Sequence, residues 1–214
     1  MRYLKTLSGR HLCCGLIAAV FGLLVWSAMG PAAASGQGVG LVRAIEGEAV
    51  AVRGGARDSL VVGATVMADD VIETGDGSKL RIVFHDGSVL MAGANTRVSI
   101  DEYDPHGAES GVLDLLAGVI RTRLSDFWAS GFAVETRAAI ASVRSTDWVT
   151  IAESDRGSVF VLAGEVGVMT IATGEQTELG PGFGIDVEVG GGLPEAREWP
   201  DERVERTLGR LPPP

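Results

Sequence analysis

Cysteine is almost missing from this 214-residue chain: there are two, Cys13 and Cys14, side by side near the start. Beyond position 14 no disulfide, thiol nucleophile or cysteine metal site can be drawn. Histidine is nearly as scarce. Beyond the first segment only His85 and His106 remain, without the paired spacing of a zinc site. No serine stands in a Gly-x-Ser-x-Gly elbow, and no Gly-x-x-x-x-Gly-Lys loop is present to cradle phosphate. Nothing assembles a nucleophile, a base and an oxyanion site, so the sequence reads as non-catalytic, with no catalytic, cofactor-binding or metal-binding residue assigned. Lysine is also missing from most of the chain: after Lys5 only Lys79 occurs, the other cations being arginines.

A sustained helical period is the next absence. From Val39 to about Val189 the apolar residues come in short alternating runs, such as Ala49–Arg53, Lys79–Phe84, Arg97–Ile100, Phe132–Thr136 and Phe183–Val187. Runs of four to six residues with period two, cut by Gly, Asp and Asn, predict an all-β domain of many short strands. Local composition leaves Gly63–Asp70 room for a turn of helix, and Ala138–Ser142 has a locally helical look. A loose echo links Leu115-Leu116-Ala117-Gly118-Val119-Ile120 with Val161-Leu162-Ala163-Gly164-Glu165-Val166. In both, glycine permits a sharp corner or bulge between strands. Such corners fit a β-roll or solenoid as well as a sandwich. After Gly190-Gly191-Gly192 the character changes. Pro200–Gly209 carries Val204 and Leu208 one helical turn apart, acids at its start and Arg206 near its end, which a short helix would favour; a solvated tail is the alternative. The domain boundaries read as 39–190 for the β domain and 191–214 for the tail.

The first 34 residues read as an export signal. Arg2, Lys5 and Arg10 precede an uncharged run over residues 12–30, and Pro31-Ala32-Ala33-Ala34-Ser35 follows. Positive, apolar, then small is the order the secretory machinery reads. Cleavage after Ala34 would leave Ser35 first; cleavage after Gly36 also fits. The apolar run is near the roughly 20 residues of a spanning helix, so an uncleaved anchor is the rival reading. In that case residues 12–30 are the protein's only membrane contact. Neither cysteine is placed for a lipoprotein anchor. The expected location is therefore periplasmic or secreted, with inner-membrane tethering if the segment stays.

Removing that segment takes three of the 18 basic residues and none of the 28 acidic ones, so the formal charge falls from −10 to −13. An acidic surface repels nucleic acid and anionic head groups, which excludes nucleic acid as the expected partner.

The polar and aromatic clusters have plain readings. Asp86-Gly87-Ser88, after His85, and Asp76-Gly77-Ser78 read as tight turns, Asp-Gly being the strongest two-residue turn signal. Asp69, Asp70, Glu73 and Asp76 form one acidic group and Asp101, Glu102 and Asp104 a second. Calcium takes clustered oxygens, but neither spacing fits a calcium loop, and solvated loop carboxylates are the expectation. Gly180-Pro181-Gly182-Phe183-Gly184 reads as a turn. Phe127, Trp128, Phe132 and Trp148 are expected to fill core, with a ligand-stacking patch as the alternative.

Taken together, the order of motifs resembles the FecR domain. One block runs Gly47-Glu48-Ala49-Val50-Ala51-Val52-Arg53, then Leu60–Ala64, Asp69–Ser78 and Leu80–Ser88. A second runs Phe132-Ala133-Val134-Glu135-Thr136, Ala141–Trp148 and Val161–Val166. The resemblance covers roughly residues 39–190. Arg137 stands where the family usually has proline, and Ser145 where it usually has glycine. The resemblance implies a β-rich periplasmic domain that, in the family's regulators, contacts a receptor's signalling domain and is joined through one membrane helix to a cytoplasmic anti-sigma segment. Here about ten residues precede the apolar run, too few for such a segment. The expected function is an exported, non-catalytic protein-interaction or scaffold module of the bacterial envelope, its partner probed for among envelope proteins. A glycan- or peptidoglycan-binding module is the alternative. Exposed Trp128 and Trp148 beside a concave face would favour the alternative. An exposed apolar patch or strand edge would favour the first reading.

Overall fold

A computed structural model describes residues 38–102, 111–125 and 132–213. The segment read as an export signal, and with it both cysteines, lies outside these residues, as do Asp104, His106, Phe127 and Trp128.

The chain is all-β with one short helix. In chain order the strands are β1 (Gly38–Glu46), β2 (Ala49–Arg53), β3 (Ala56–Ser59), β4 (Thr65–Met67), β5 (Val71–Thr74), β6 (Lys79–Phe84), β7 (Val89–Ala92) and β8 (Arg97–Glu102). Then come β9 (Gly111–Arg123), β10 (Phe132–Glu135), β11 (Ala139–Ala152), β12 (Arg156–Thr170), β13 (Gln176–Leu179), β14 (Phe183–Glu188) and β15 (Arg197–Glu198). The helix α1 spans Asp201–Gly209.

All fifteen strands share one hydrogen-bonded network, and three long strands fold it into two layers. The N-terminal half of β9 pairs with β8 and with parallel β10; its C-terminal half pairs with β7 and β11. β11 and β12 divide in the same way: Ala139–Arg144 lies with Glu165–Thr170, and Trp148–Ala152 with Gly157–Val161. The first layer therefore runs β3-β2-β5-β8-β9-β10-β11-β12-β13. The second runs β15-β14-β12-β11-β9-β7-β6-β1-β4. Between them lies the main core. Ile72, Leu113, Val134 and Val166 come from the first layer; Ile82, Leu90, Ile120, Trp148 and Val159 come from the second. The architecture is all-β, one continuous sheet folded over on itself through the strands that its two layers share.

The shared strands bend at the glycines of the internal echo. Gly118 (φ 95°) and Gly164 (φ 82°) both take the left-handed backbone that only glycine adopts at little cost. At the first, the β8–β9 register slips between Arg97 and Val98; at the facing bend, the β11–β12 register slips between Arg144 and Asp147. Sequence reading puts strand ends at these glycines. The structure instead carries each strand through the corner, because the ladder on either side keeps pairing. Ser145 lies in β11 at this slip.

The two segments with a helical look are extended. Gly63–Asp70 contains β4, and Ala138–Ser142 opens β11. Val66 and the pair Ala139 and Ala141 are buried in the core, so packing overrides local composition.

The second layer's outer face carries a smaller core of its own. Val89, Met91, Val119, Val149, Ile151 and Phe160 are covered there by Trp199 and Leu211, with Val204 and Leu208 of α1 packed on them. Trp199 stacks on Phe160 with ring centroids 4.7 Å apart. Gly184 lacks the side chain that would collide with this indole, a Cβ falling 2.6 Å from its Cε2. Arg203 of α1 lies 3.6 Å over the same ring and grips both carboxylate oxygens of Asp186 at 2.9 and 2.5 Å. Helix α1 is thus fastened by an apolar stripe, a stack and one forked ion pair.

Candidate functional site

The first acidic group does not form an oxygen cage. Asp70 is fully buried and takes the Arg53 guanidinium on both oxygens, at 2.7 and 2.8 Å, plus the Met67 N–H at 2.8 Å. Glu73 faces the other way, toward Arg57 at 2.6 Å and Arg97 at 3.6 Å. Asp76 accepts from the Asn95 amide at 3.3 Å. Asp70, Glu73 and Asp76 each have separate partners, so these three act as structural ties. Asp69 takes φ 66°, a turn geometry not foreseen from the sequence, and Asp accepts it better than most residues. In the second group Asp101 accepts from the Ser99 hydroxyl.

The Asp86–Ser88 turn is likewise structural. The Ser88 hydroxyl donates to Asp86 Oδ2 at 2.6 Å and accepts the Ser125 N–H at 3.1 Å. The turn is thereby tied to the end of β9. His85 is exposed beside it.

Two of the four clustered aromatics are core. Trp148 is fully buried and donates its indole N–H to Thr150 Oγ1 at 3.1 Å. Phe132 is buried and meets the Trp148 ring edge-on at 6.2 Å.

What the fold leaves open is the far end of the first layer. β13 pairs with β12 alone, so its other edge has no strand partner among the described residues, as is also true of β3, β4 and β15. Cross-strand register puts Ala133, Ser142 and Gly167 in one row on the outer face, ending at Glu178. The next row holds Glu135, Ile140, Met169 and Gln176. Small side chains in the first row leave a depression of about 490 Å³, lined by Ser142, Gly167, Met169, Gln176 and Glu178. Met169 is 37% exposed and Ile171, just past β12, is 51% exposed. Nearby, Glu175 is held below the ordinary carboxylate value by the Leu193 N–H and the Thr173 hydroxyl. The arrangement offers an apolar edge with free backbone groups and an acidic rim, suited to receiving an extended peptide segment. Period-two alternation hid it: Met169 and Ile171 look like core residues in sequence, but Met169 falls on the outward phase of β12 and Ile171 lies exposed just past its end.

Comparison with known proteins bears on the fold that carries this surface. Residues 70–167 match the family model described as FecR protein. No curated protein matches the chain. Two crystal structures, at 1.65 and 2.50 Å, of a candidate anti-sigma factor from Parabacteroides distasonis share the fold. Each has a TM-score of 0.55 and 20% identity. The likeness covers 64% of this chain, and 64% and 63% of theirs, so under two thirds of their length is spanned. Residues 70–167 include both corner glycines, the buried Trp148, all of β9 and β11, and β12 as far as Gly167. Just under half of the chain, residues 70–167, is thus similar to the FecR protein family.

Proposed function

We propose that the protein is an exported, non-catalytic module of the bacterial envelope that binds another protein through the free edge of β13. The observation that carries the reading is the pairing of that unpaired edge with exposed Met169 and Ile171. Strand addition supplies backbone hydrogen bonds, and the apolar side chains supply area to bury. Glu165, Glu175 and Glu178 nearby suit a partner with basic flanks. The charged-then-apolar start of the chain supports export. Burial of Trp148 and Phe132 takes two aromatics out of any sugar-stacking platform, so the glycan reading loses support. The candidate anti-sigma factors that share the fold are in keeping with a protein partner.

The test places a photo-crosslinking residue at Ile171 in the protein expressed with its own N-terminal segment, and identifies what is captured in the native envelope. A discrete protein adduct that disappears with Met169→Glu is expected. Adducts consisting only of wall fragments, or protein adducts indifferent to Met169→Glu, would overturn the reading.

A further inference from the structure

Cations are the minority charge in this chain, yet four arginines meet in one cleft. Between α1 and the outer face of the second layer lies a space of about 400 Å³, lined by Arg156, Ser158, Arg203, Arg206, Thr207 and Arg210. Only two carboxylates, Glu153 and Asp186, share the lining. Both are already engaged: Glu153 takes Arg156 Nε at 2.5 Å, and Asp186 takes the Arg203 fork. These contacts hold Arg156 and Arg203 in fixed places at the rim.

The remaining two arginines are under-neutralised. Arg206 has only Glu202 at 3.6 Å, on an exposed stretch where such a pair is weak. Arg210 has no ion partner among the described residues. They stand four residues apart and so lie near one another at the end of α1, where like charges repel. A dianion between them would relieve that repulsion. The guanidinium fork matches the oxygens of phosphate better than any other cationic side chain. The neighbouring Ser158 and Thr207, at 3% and 6% exposure, put polar side chains at the base of this open cleft.

We propose that this cleft binds a phosphate-class oxyanion, presented on a small soluble molecule or on a phosphorylated head group, with Arg206 and Arg210 as its principal ligands. Because α1 supplies two of the four arginines and the residue capping its end a third, an occupied site would also hold the helix against the sheet. The site is separate from the β13 edge and stands whether or not that edge binds a partner.

The test titrates the protein with inorganic pyrophosphate by calorimetry at low salt, and sediments it with vesicles of phosphatidylcholine with and without phosphatidic acid. Saturable binding is expected, weakened about tenfold or more in Arg206→Gln/Arg210→Gln. It should be unchanged in Arg43→Gln/Arg137→Gln, which removes the same charge from exposed positions elsewhere. Arg210→Gln alone provides a milder variant if the double one melts early. Binding in the calorimeter assigns a soluble ligand. Sedimentation with phosphatidic acid only, lost in the Arg206→Gln/Arg210→Gln protein, assigns a head group. No binding in either assay, or equal weakening in both double variants, would overturn the proposal.

Discussion

Thr96 occupies the space that a side chain at Gly118 would need. An added Cβ would fall 2.5 Å from the Thr96 Cα and also collide with its Oγ1. That hydroxyl is itself fixed, accepting the Val119 N–H at 3.1 Å and donating to the Val119 carbonyl at 3.2 Å. The Thr96 N–H in turn donates to Thr74 Oγ1 at 2.9 Å, and the Thr74 hydroxyl donates to the Gly93 carbonyl at 2.6 Å.

Gly118→Ala is therefore expected to destabilise the fold by about 3 kcal/mol, combining left-handed strain with overpacking. Gly87→Ala carries similar strain at φ 87° but meets no atom within 4 Å. It should cost only about 1–2 kcal/mol. Urea unfolding of the two variants separates the clash from the strain, and equal losses would show that the Thr96 contact is unimportant.

Breaking the Arg53–Asp70 pair from the arginine side should be costly. Arg53→Met leaves a fully buried carboxylate with only the Met67 N–H. Removing one partner of an enclosed pair costs about 3–5 kcal/mol; with Arg53 one-third exposed, about 2 kcal/mol is expected. Arg57→Met, at the exposed neighbouring pair, should cost less than about 1 kcal/mol. Chemical denaturation of both variants checks the ranking.

Acid should loosen the α1 clasp. Burial raises the Asp186 carboxyl, but hydrogen bonds from Arg203 and Ser158 outweigh it and hold the group below its ordinary value. A depressed carboxylate stabilises the fold above its unfolded pKa, and that contribution fades as pH falls through the folded one. Asp186→Asn should therefore be less stable than the parent at neutral pH. The gap should narrow as pH falls below about 4. Thermal melts across that range read the difference, and a constant gap would contradict the linkage.

Asp114 has the opposite sign. Burial, and then the charge of Asp101, push its carboxyl above the ordinary value. The charged form is thus disfavoured in the folded state, and stability from this group rises as pH falls through its folded pKa. Asp114→Asn should raise the melting temperature at neutral pH, with the gain shrinking in acid.

The strands and turns were largely legible because their signals are local. Lys79–Phe84 alternates, and the structure buries Leu80, Ile82 and Phe84 while leaving the residues between half-buried. Asp76-Gly77 and Asp86-Gly87 turn with positive φ at both glycines. The resemblance to the FecR domain rested on such signals. Layer assignment was not legible, since a glycine corner reads alike whether a strand ends or passes through it. The clasp was hidden for a different reason. Phe160 and Trp199 are 39 positions apart, and nothing in either segment names the other. The arginine cleft shares that character, because Arg156 meets Arg203, Arg206 and Arg210 only once α1 lies on the sheet; the β13 edge belongs to a local hairpin and was hidden only by the alternation of β12.

The strand sharing has a mechanical consequence. In a sandwich of independent sheets, one layer can slide over the other by breaking side-chain contacts alone. Here β9, β11 and β12 carry covalent backbone from one layer into the other. A pull on the β13 edge is borne by peptide bonds all the way to the sheet beneath α1. Separating the two layers would therefore require breaking or bending these shared strands, and not only parting side chains.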